Sequence, residues 1–484
     1  MPLISIFFIT FVPLNANVMV MIKKILSLMM ALVGLQTLSD KAFAGGNVYP
    51  GGKSYMYRLY LTDKNHTEYT IDHPEAFLSK KAIERRRKQQ IAIDETDLPL
   101  PDTYLRQITI MGGQVVGKSK WNNTVLIRVA ERATAEHMTD LPFVSRVLKV
   151  WESPDTLVHN RRDNIQKTLG EKEHHVGSYY GAAELQITML NGQVLHGAGY
   201  KGKGMTIAVL DGGFTNVNRI PALAKIKVIG TRNFVATLSD DVYAEHDHGT
   251  RVLSCMGASE PEYIVGTAPE ATYWLIRAED VYTETLAEED YWAAAVEFAD
   301  SVGADVVNSS LGYQDFDGNE GDHIYRELDG HTALISCTAS MMADKGMVLC
   351  NSAGNDGMGT WKKINFPADA DNILTVGAVN SMRKNAAFSS IGPSADGRVK
   401  PDVMSLGSPA AVISGRGAIS FDMGTSFASP IMAGMVACLW QARPELTARQ
   451  LIQLVRESSH QYDYPDNIFG YGIPDFEKAM KSDR

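Results

Sequence analysis

Three polar side chains stand where acyl-transfer chemistry would want them. Asp211 closes the run "IAVLDGGF", His248 opens "HGTRVL", and Ser426 sits within "DMGTSFASPIMAG". Each has an ordinary reading by itself. An aspartate before two glycines is a turn or cap residue, a histidine in a polar stretch is a surface residue, and a serine at a helix start is an N-cap. Taken together they can act as one unit. A carboxylate orients an imidazole, the imidazole takes a proton from a hydroxyl, and the hydroxyl attacks a carbonyl. His246 and His248 could instead share a metal, but no third ligand lies at a suitable spacing. A serine at the start of a buried helix also has free backbone N–H groups beside its oxygen. Those donors can stabilise negative charge developing on a carbonyl.

Such a unit needs rigid elements to hold it. From residue 179 onward, continuous apolar runs alternate with helical patterns: 205–210, 272–278, 304–310, 346–352 and 373–379 as strands, with 288–303 and 332–346 as helices between them. Apolar runs without alternation suit strands covered on both faces. The expected fold is therefore α/β, a three-layer domain with a mainly parallel central sheet. Sites in such sheets lie at the carboxyl ends of the strands, where Asp211 falls. The stretch after Ser426, "FASPIMAGMVACLW", is apolar all round and reads as a helix buried through the domain, with Pro430 in its first turn.

The amino-terminal part reads differently. Residues 45–152 alternate as short strands and helices in the order β-α-β-β-α-β, the pattern of a small α+β (ferredoxin-like) sandwich. Its strands fall at 55–64, 112–130 (two strands about a Trp-Asn-Asn turn) and 143–150, its helices at 77–91 and 131–141. The run Arg85-Arg86-Arg87-Lys88 reads as a solvated helix face. Residues 153–178 are polar and aperiodic, an exposed linker containing Arg161-Arg162. Residues 1–44 read as an export signal: Lys23 and Lys24 precede an apolar stretch, and Ala42-Phe43-Ala44 offers a cleavage site. Met21 is the better-formed start. A membrane anchor is the competing reading of that segment, interrupted by Pro13 and Asn15.

The 484 residues carry a net charge of −10, which argues against nucleic acid as a partner. The four cysteines, Cys255, Cys337, Cys350 and Cys438, lie in apolar runs without metal-ligand spacing and read as buried thiols. A Cys337–Cys350 bridge stays open. Asp315, Asp317, Glu320 and Asp322 crowd the stretch 313–331, which reads as a solvated surface loop. Calcium could bind such carboxylates, but no full loop signature is present.

The order Asp, His, Ser on an α/β scaffold, with several further blocks, resembles the subtilisin-like serine protease (subtilase) family across about 179–480. "VLDGGF", "HGTRV" and "GTSFASPIMAG" look like its aspartate, histidine and serine blocks. "NSSLG" (308–312), "SAGN" (352–355), "FSSIGP" (388–393), "KPDVMSLG" (400–407) and "GYGIPDFEKAM" (470–480) look like further ones. Gly212 stands where serine or threonine is usual, and Arg251 where a second histidine is common.

The resemblance implies a secreted endopeptidase, exported to the medium, periplasm or cell surface. Ser426 would be its nucleophile, His248 its base and Asp211 its orienting acid. Asn355 would donate to the oxyanion. Ser310, Leu311, Gly312, Ala353 and Gly354 would bind an extended peptide, and 355–368, Ile364 and Asn365 included, would wall a specificity pocket. It implies no required cofactor or metal, leaves calcium open, and makes residues 45–152 an inhibitory propeptide cut from 179–484 by self-processing within the linker. Protein or peptide substrates and the chain's own propeptide are then the partners, without stable membrane association after signal removal. A catalytically silent peptide-binding protein on the same scaffold is the alternative.

Overall fold

The computed structural model describes residues 53–153, 178–235, 241–244, 246–319 and 321–482. The signal at 1–44 and the linker with Arg161-Arg162 lie outside the described residues.

The central sheet has seven strands, all parallel, in the spatial order 403–408, 374–380, 348–352, 306–309, 206–211, 272–277, 227–233. The strand Thr206–Asp211 shows why it reads as a continuous apolar run. Ile207 and Val209 join the cluster on one face, with the helices His248–Gly257 and Thr425–Ala442. Ala208 and Leu210 join the cluster on the other, with the helix Ala287–Ser301. Both faces are dry, so no polar alternation survives. The expected mainly parallel sheet is present, and helices cover it on both sides.

The amino-terminal region forms a four-stranded antiparallel sheet in the order 114–119, 124–129, 55–61, 144–152. Of the two helices the sequence suggests, the segment 131–141 packs on it through Ala135 and Met138, and the other does not. Tyr104 and Ile108 of Asp102–Ile110 bury against Leu59, Val125 and Ile127, whereas Lys80–Lys88 contributes nothing to that core.

Lys80–Lys88 instead reaches into the protease domain. Arg85 and Arg86 are buried, and the solvated-face reading fails for them. Arg86 pairs with Asp97 and Asp300, and Arg85 donates to the Asp300 side chain and to the Ala304 carbonyl. Arg87 and Lys88 alone keep the solvated position. The cause is a run of carboxylates on Ala287–Ser301, which draws cations from the amino-terminal sheet as well. Arg58 Nε and Nη2 donate to Asp290 at 2.7–2.9 Å, with Glu289 3.3 Å from Nη2. Glu297 accepts from Ser119 Oγ, Lys120 N and Trp121 N at 2.5, 2.7 and 3.1 Å. Buried charges are tolerated only when paired or hydrogen-bonded, and this seam supplies partners to every one named here.

The stretch 313–331 is likewise not simply solvated. Tyr313, Phe316, His323 and Leu328 are buried, because apolar residues interleave with the acids. Asp317 accepts from Glu284 N and Asp322 from Phe316 N, so two of the acids satisfy backbone N–H groups, one of them in a distant segment. All four cysteines are unbridged, and Cys337 is only partly buried. Among the described residues no helix is long and apolar enough to cross a membrane, and no three His, Cys, Asp or Glu side chains converge as a metal site would require.

Candidate active site

Asp211 is the last residue of its strand, fully buried, and its Oδ1 accepts from the N–H of Gly212 at 2.8 Å. His248 is the first residue of its helix. The two elements touch because residue 249 has no side chain: a Cβ there would lie 2.4 Å from the Gly213 carbonyl oxygen and 2.9 Å from Asp211 Cβ. His248 Nδ1 therefore meets both Asp211 oxygens, at 3.0 and 2.9 Å. That contact fixes a proton on Nδ1 and leaves Nε2 to face the cleft. Burial disfavours the imidazolium, but the Asp211 charge and hydrogen bond outweigh it and hold His248 above the ordinary histidine range.

Ser426 is the second residue of the helix Thr425–Ala442, and Gly424 occupies the N-cap position. The ordinary N-cap reading of this serine does not hold. Its Oγ lies 3.5 Å from the Ser310 carbonyl oxygen and makes no hydrogen bond to His248, although both side chains line one cavity of about 290 Å³. Hydrogen bonds of this kind commonly tighten only when substrate arrives. Pro430 falls in the second helical turn rather than the first. Its missing N–H leaves the Ser426 carbonyl without its helical donor, and Ser310 Oγ supplies one at 2.8 Å.

Asn355 Oδ1 accepts from Thr425 N at 3.0 Å and lies 3.0 Å from Thr425 Oγ1. With the oxygen so engaged, the amide NH2 is the end left for the cleft, which Asn355 lines beside Ser426. Ser310, Leu311, Gly312 and Gly354 line it too. Ala353 does not: it is fully buried, with its N–H given to Val376 and its carbonyl taken by Asn365. Ile364 likewise belongs to the apolar cluster behind the wall, while Asn365 lines the cavity.

The sequence reading missed Glu279 and Glu284, which line the same cavity. The glycine at 212 explains the first, since a Cβ there would lie 2.8 Å from Glu279 Oε2. Arg251, the other departure, joins the two halves of the site. It donates to Asp247 Oδ2 at 2.9 and 3.1 Å and to Asp422 Oδ2 at 2.5 Å, linking the residue before His248 to the strand end before Ser426.

The Subtilase family profile matches residues 202–472, and a Peptidase S8 propeptide domain profile, Bacteroidota, matches residues 56–167. Subtilisin NAT from Bacillus subtilis subsp. natto is 26% identical over 368 residues, covering 75% of this chain and 82% of that protein. Serine protease AprX from Bacillus subtilis is 29% identical over 329 residues, 62% of this chain and 70% of its own length. Subtilisin-like protease SBT6.1 from Arabidopsis thaliana is 29% identical over 301 residues, 60% of this chain and 26% of its own length. The chain thus belongs to the subtilase family of serine endopeptidases and carries the family's propeptide domain ahead of its protease domain.

Proposed function

We propose that this endopeptidase is exported as a latent proenzyme and matures itself. Residues 1–44 would be the signal, 45–152 the inhibitory domain, 153–178 the processed linker and 179–484 the mature protease. Ser426 Oγ attacks the scissile carbonyl carbon as His248 Nε2 takes its proton, and the same nitrogen then protonates the leaving amine. Asp211 holds the imidazole and stabilises its charged form. Water, deprotonated by His248, then releases the acyl group and restores the Ser426 hydroxyl. The oxyanion accepts from the Asn355 amide and the Ser426 N–H. Ser310, Leu311 and Gly312 pair with the substrate as an added strand. No step calls on a metal, and calcium has no assigned part.

The observation that supports this most directly is the two-oxygen contact of Asp211 with His248 at the edge of the cavity that Ser426 lines. Tethering the linker to the domain it is cut by raises its effective concentration, which favours an intramolecular first cut. The test is expression of wild type beside Ser426→Ala in a host lacking other proteases. Wild type should react with a serine-directed fluorophosphonate and yield a fragment beginning in 153–178. The variant should stay unlabelled and uncut apart from signal removal; cleavage of the variant at the same bond would exclude self-processing.

A further inference from the structure

The cavity that holds Ser426 is lined by three acids. Glu279, Glu284 and Asp356 line it, and no lysine or arginine does. Asp356 is the informative one. It follows the oxyanion residue Asn355 directly, and its loop is pinned: Asp356 N donates to Ser390 Oγ at 3.0 Å and Gly357 N to the Phe388 carbonyl at 2.9 Å. Its carboxylate accepts from Asn365 Nδ2 at 2.9 Å, and no cation lies within ion-pair distance among the described residues.

Burial, with Asp315 adding repulsion, pushes the Asp356 carboxyl above its usual range. A fixed carboxylate with one neutral donor, partly removed from water, is poorly compensated. Beside it the other end of the same amide, Asn365 Oδ1, is buried and accepts no hydrogen bond. Two acceptors therefore sit together at one wall, Asp356 with a single neutral donor and Asn365 Oδ1 with none.

Beside Asn365 the backbone is bare at two glycines. A Cβ at Gly312 would lie 3.1 Å from Asn365 Cβ, and one at Gly354 would lie 3.0 Å from Asn365 Cγ. Asn365 thus closes a slot walled by bare backbone. The slot lies between the segment that would pair with the substrate chain and the residue that would hold the oxyanion. The side chain of the residue supplying the scissile carbonyl is the part of a substrate that enters there.

We propose that this slot takes a lysine or arginine side chain of that substrate residue, with Asp356 as its charge partner. The inference rests on the proposed catalytic role of Ser426 and gives that site its substrate class. A guanidinium or ammonium offers several donors at once and restores the missing charge. The chain's own linker fits such a site, since it holds Arg161, Arg162, Lys167 and Lys172.

The test uses the matured enzyme and peptides identical except for the residue before the scissile bond: Arg, Lys, Gln, Leu, Phe or Glu. Removing a charged hydrogen-bond partner costs about 10- to 100-fold, so Arg and Lys peptides should exceed Leu and Glu peptides in kcat/KM by at least roughly 10-fold. Asp356→Asn should lower the Arg-to-Leu ratio of kcat/KM by about 10- to 100-fold. Fluorophosphonate labelling of Ser426 serves as a separate readout. No labelling and no cleavage of any peptide would refute the catalytic reading itself. A labelled enzyme that cuts Leu, Phe or Gln peptides as well as Arg peptides would overturn the cation slot alone, as would an Asp356→Asn enzyme that keeps the wild-type ratio. Should that variant not fold, the wild-type profile decides.

Discussion

Arg86 meets Asp300 through two parallel hydrogen bonds, Nη1 to Oδ1 and Nη2 to Oδ2, both 2.9 Å long. The two residues belong to different domains and are both buried. The fork matches a planar guanidinium to a planar carboxylate, and it shares Asp300 with Arg85.

Arg86→Ala should therefore loosen the seam. Leaving Asp300 and Asp97 buried with one cation fewer should cost on the order of 3–5 kcal/mol of docking stability. Hydrogen exchange on the Ser426→Ala protein would read this as faster exchange across 80–88, with the sheet 206–211 unaffected. Unchanged protection at 80–88 would mean that the pair contributes little.

Asn355→Ala should lower kcat by about 10²–10³-fold, the usual effect of losing one oxyanion donor. KM should change little, because the donor acts where charge develops. Attack on a fluorophosphonate also places negative charge on an oxygen, so labelling should slow in proportion. A raised KM with unaltered kcat would make Asn355 a ground-state binding residue.

The pH profile follows from His248. With the neutral imidazole as the proposed base, hydrolysis should rise with pH through one ionisation centred above 6.5. The stabilisation from the Asp211 pair has the opposite sense. Because the folded pKa is raised, it is full below the unfolded value and is lost as pH rises through the folded one. NMR titration of the imidazole in Ser426→Ala should give the raised midpoint, and Asp211→Asn should bring it down.

His196 should govern part of the acid sensitivity. It is buried, with Nε2 2.9 Å from the Thr267 carbonyl and Nδ1 3.1 Å from the Tyr180 hydroxyl, and burial lowers its pKa from 6.5 to about 4. The unfolded chain takes up this proton first, so stability should fall as pH drops from 6.5 toward about 4. The full loss is on the order of 3 kcal/mol, at about 1.4 kcal/mol per unit. Urea unfolding at pH 7 and pH 4.5 would measure it, and His196→Gln should flatten this component.

The legible parts of the chain were those whose cause is local. Strands buried on both faces leave continuous apolar runs, so Thr206–Asp211 and Val348–Ser352 could be read directly. Asp211, His248 and Ser426 were legible because glycines and helix starts flank them. What escaped is settled by partners far away in the chain. Arg85 and Arg86 look solvated until Asp300 is placed against them, more than two hundred residues later. Asp102–Ile110 has ordinary composition, and only Leu59 and Ile127 across the core show why it packs on the sheet. Asp356 was legible only as one position of the wall 355–368, because its partner Asn365 is brought to it by the loop between them.

The seam between the domains also holds indoles. Trp121 inserts from the amino-terminal hairpin into the cluster that contains Ala208 and Trp292, and Trp151 Nε1 donates to Thr283 Oγ1 at 3.2 Å. Two of the chain's six tryptophans thus lie where one domain meets the other. Parting of the domains moves both from a buried position into water, which should redden and dim their emission. The proposed maturation would then carry its own optical signal, readable in real time without a dye or a substrate.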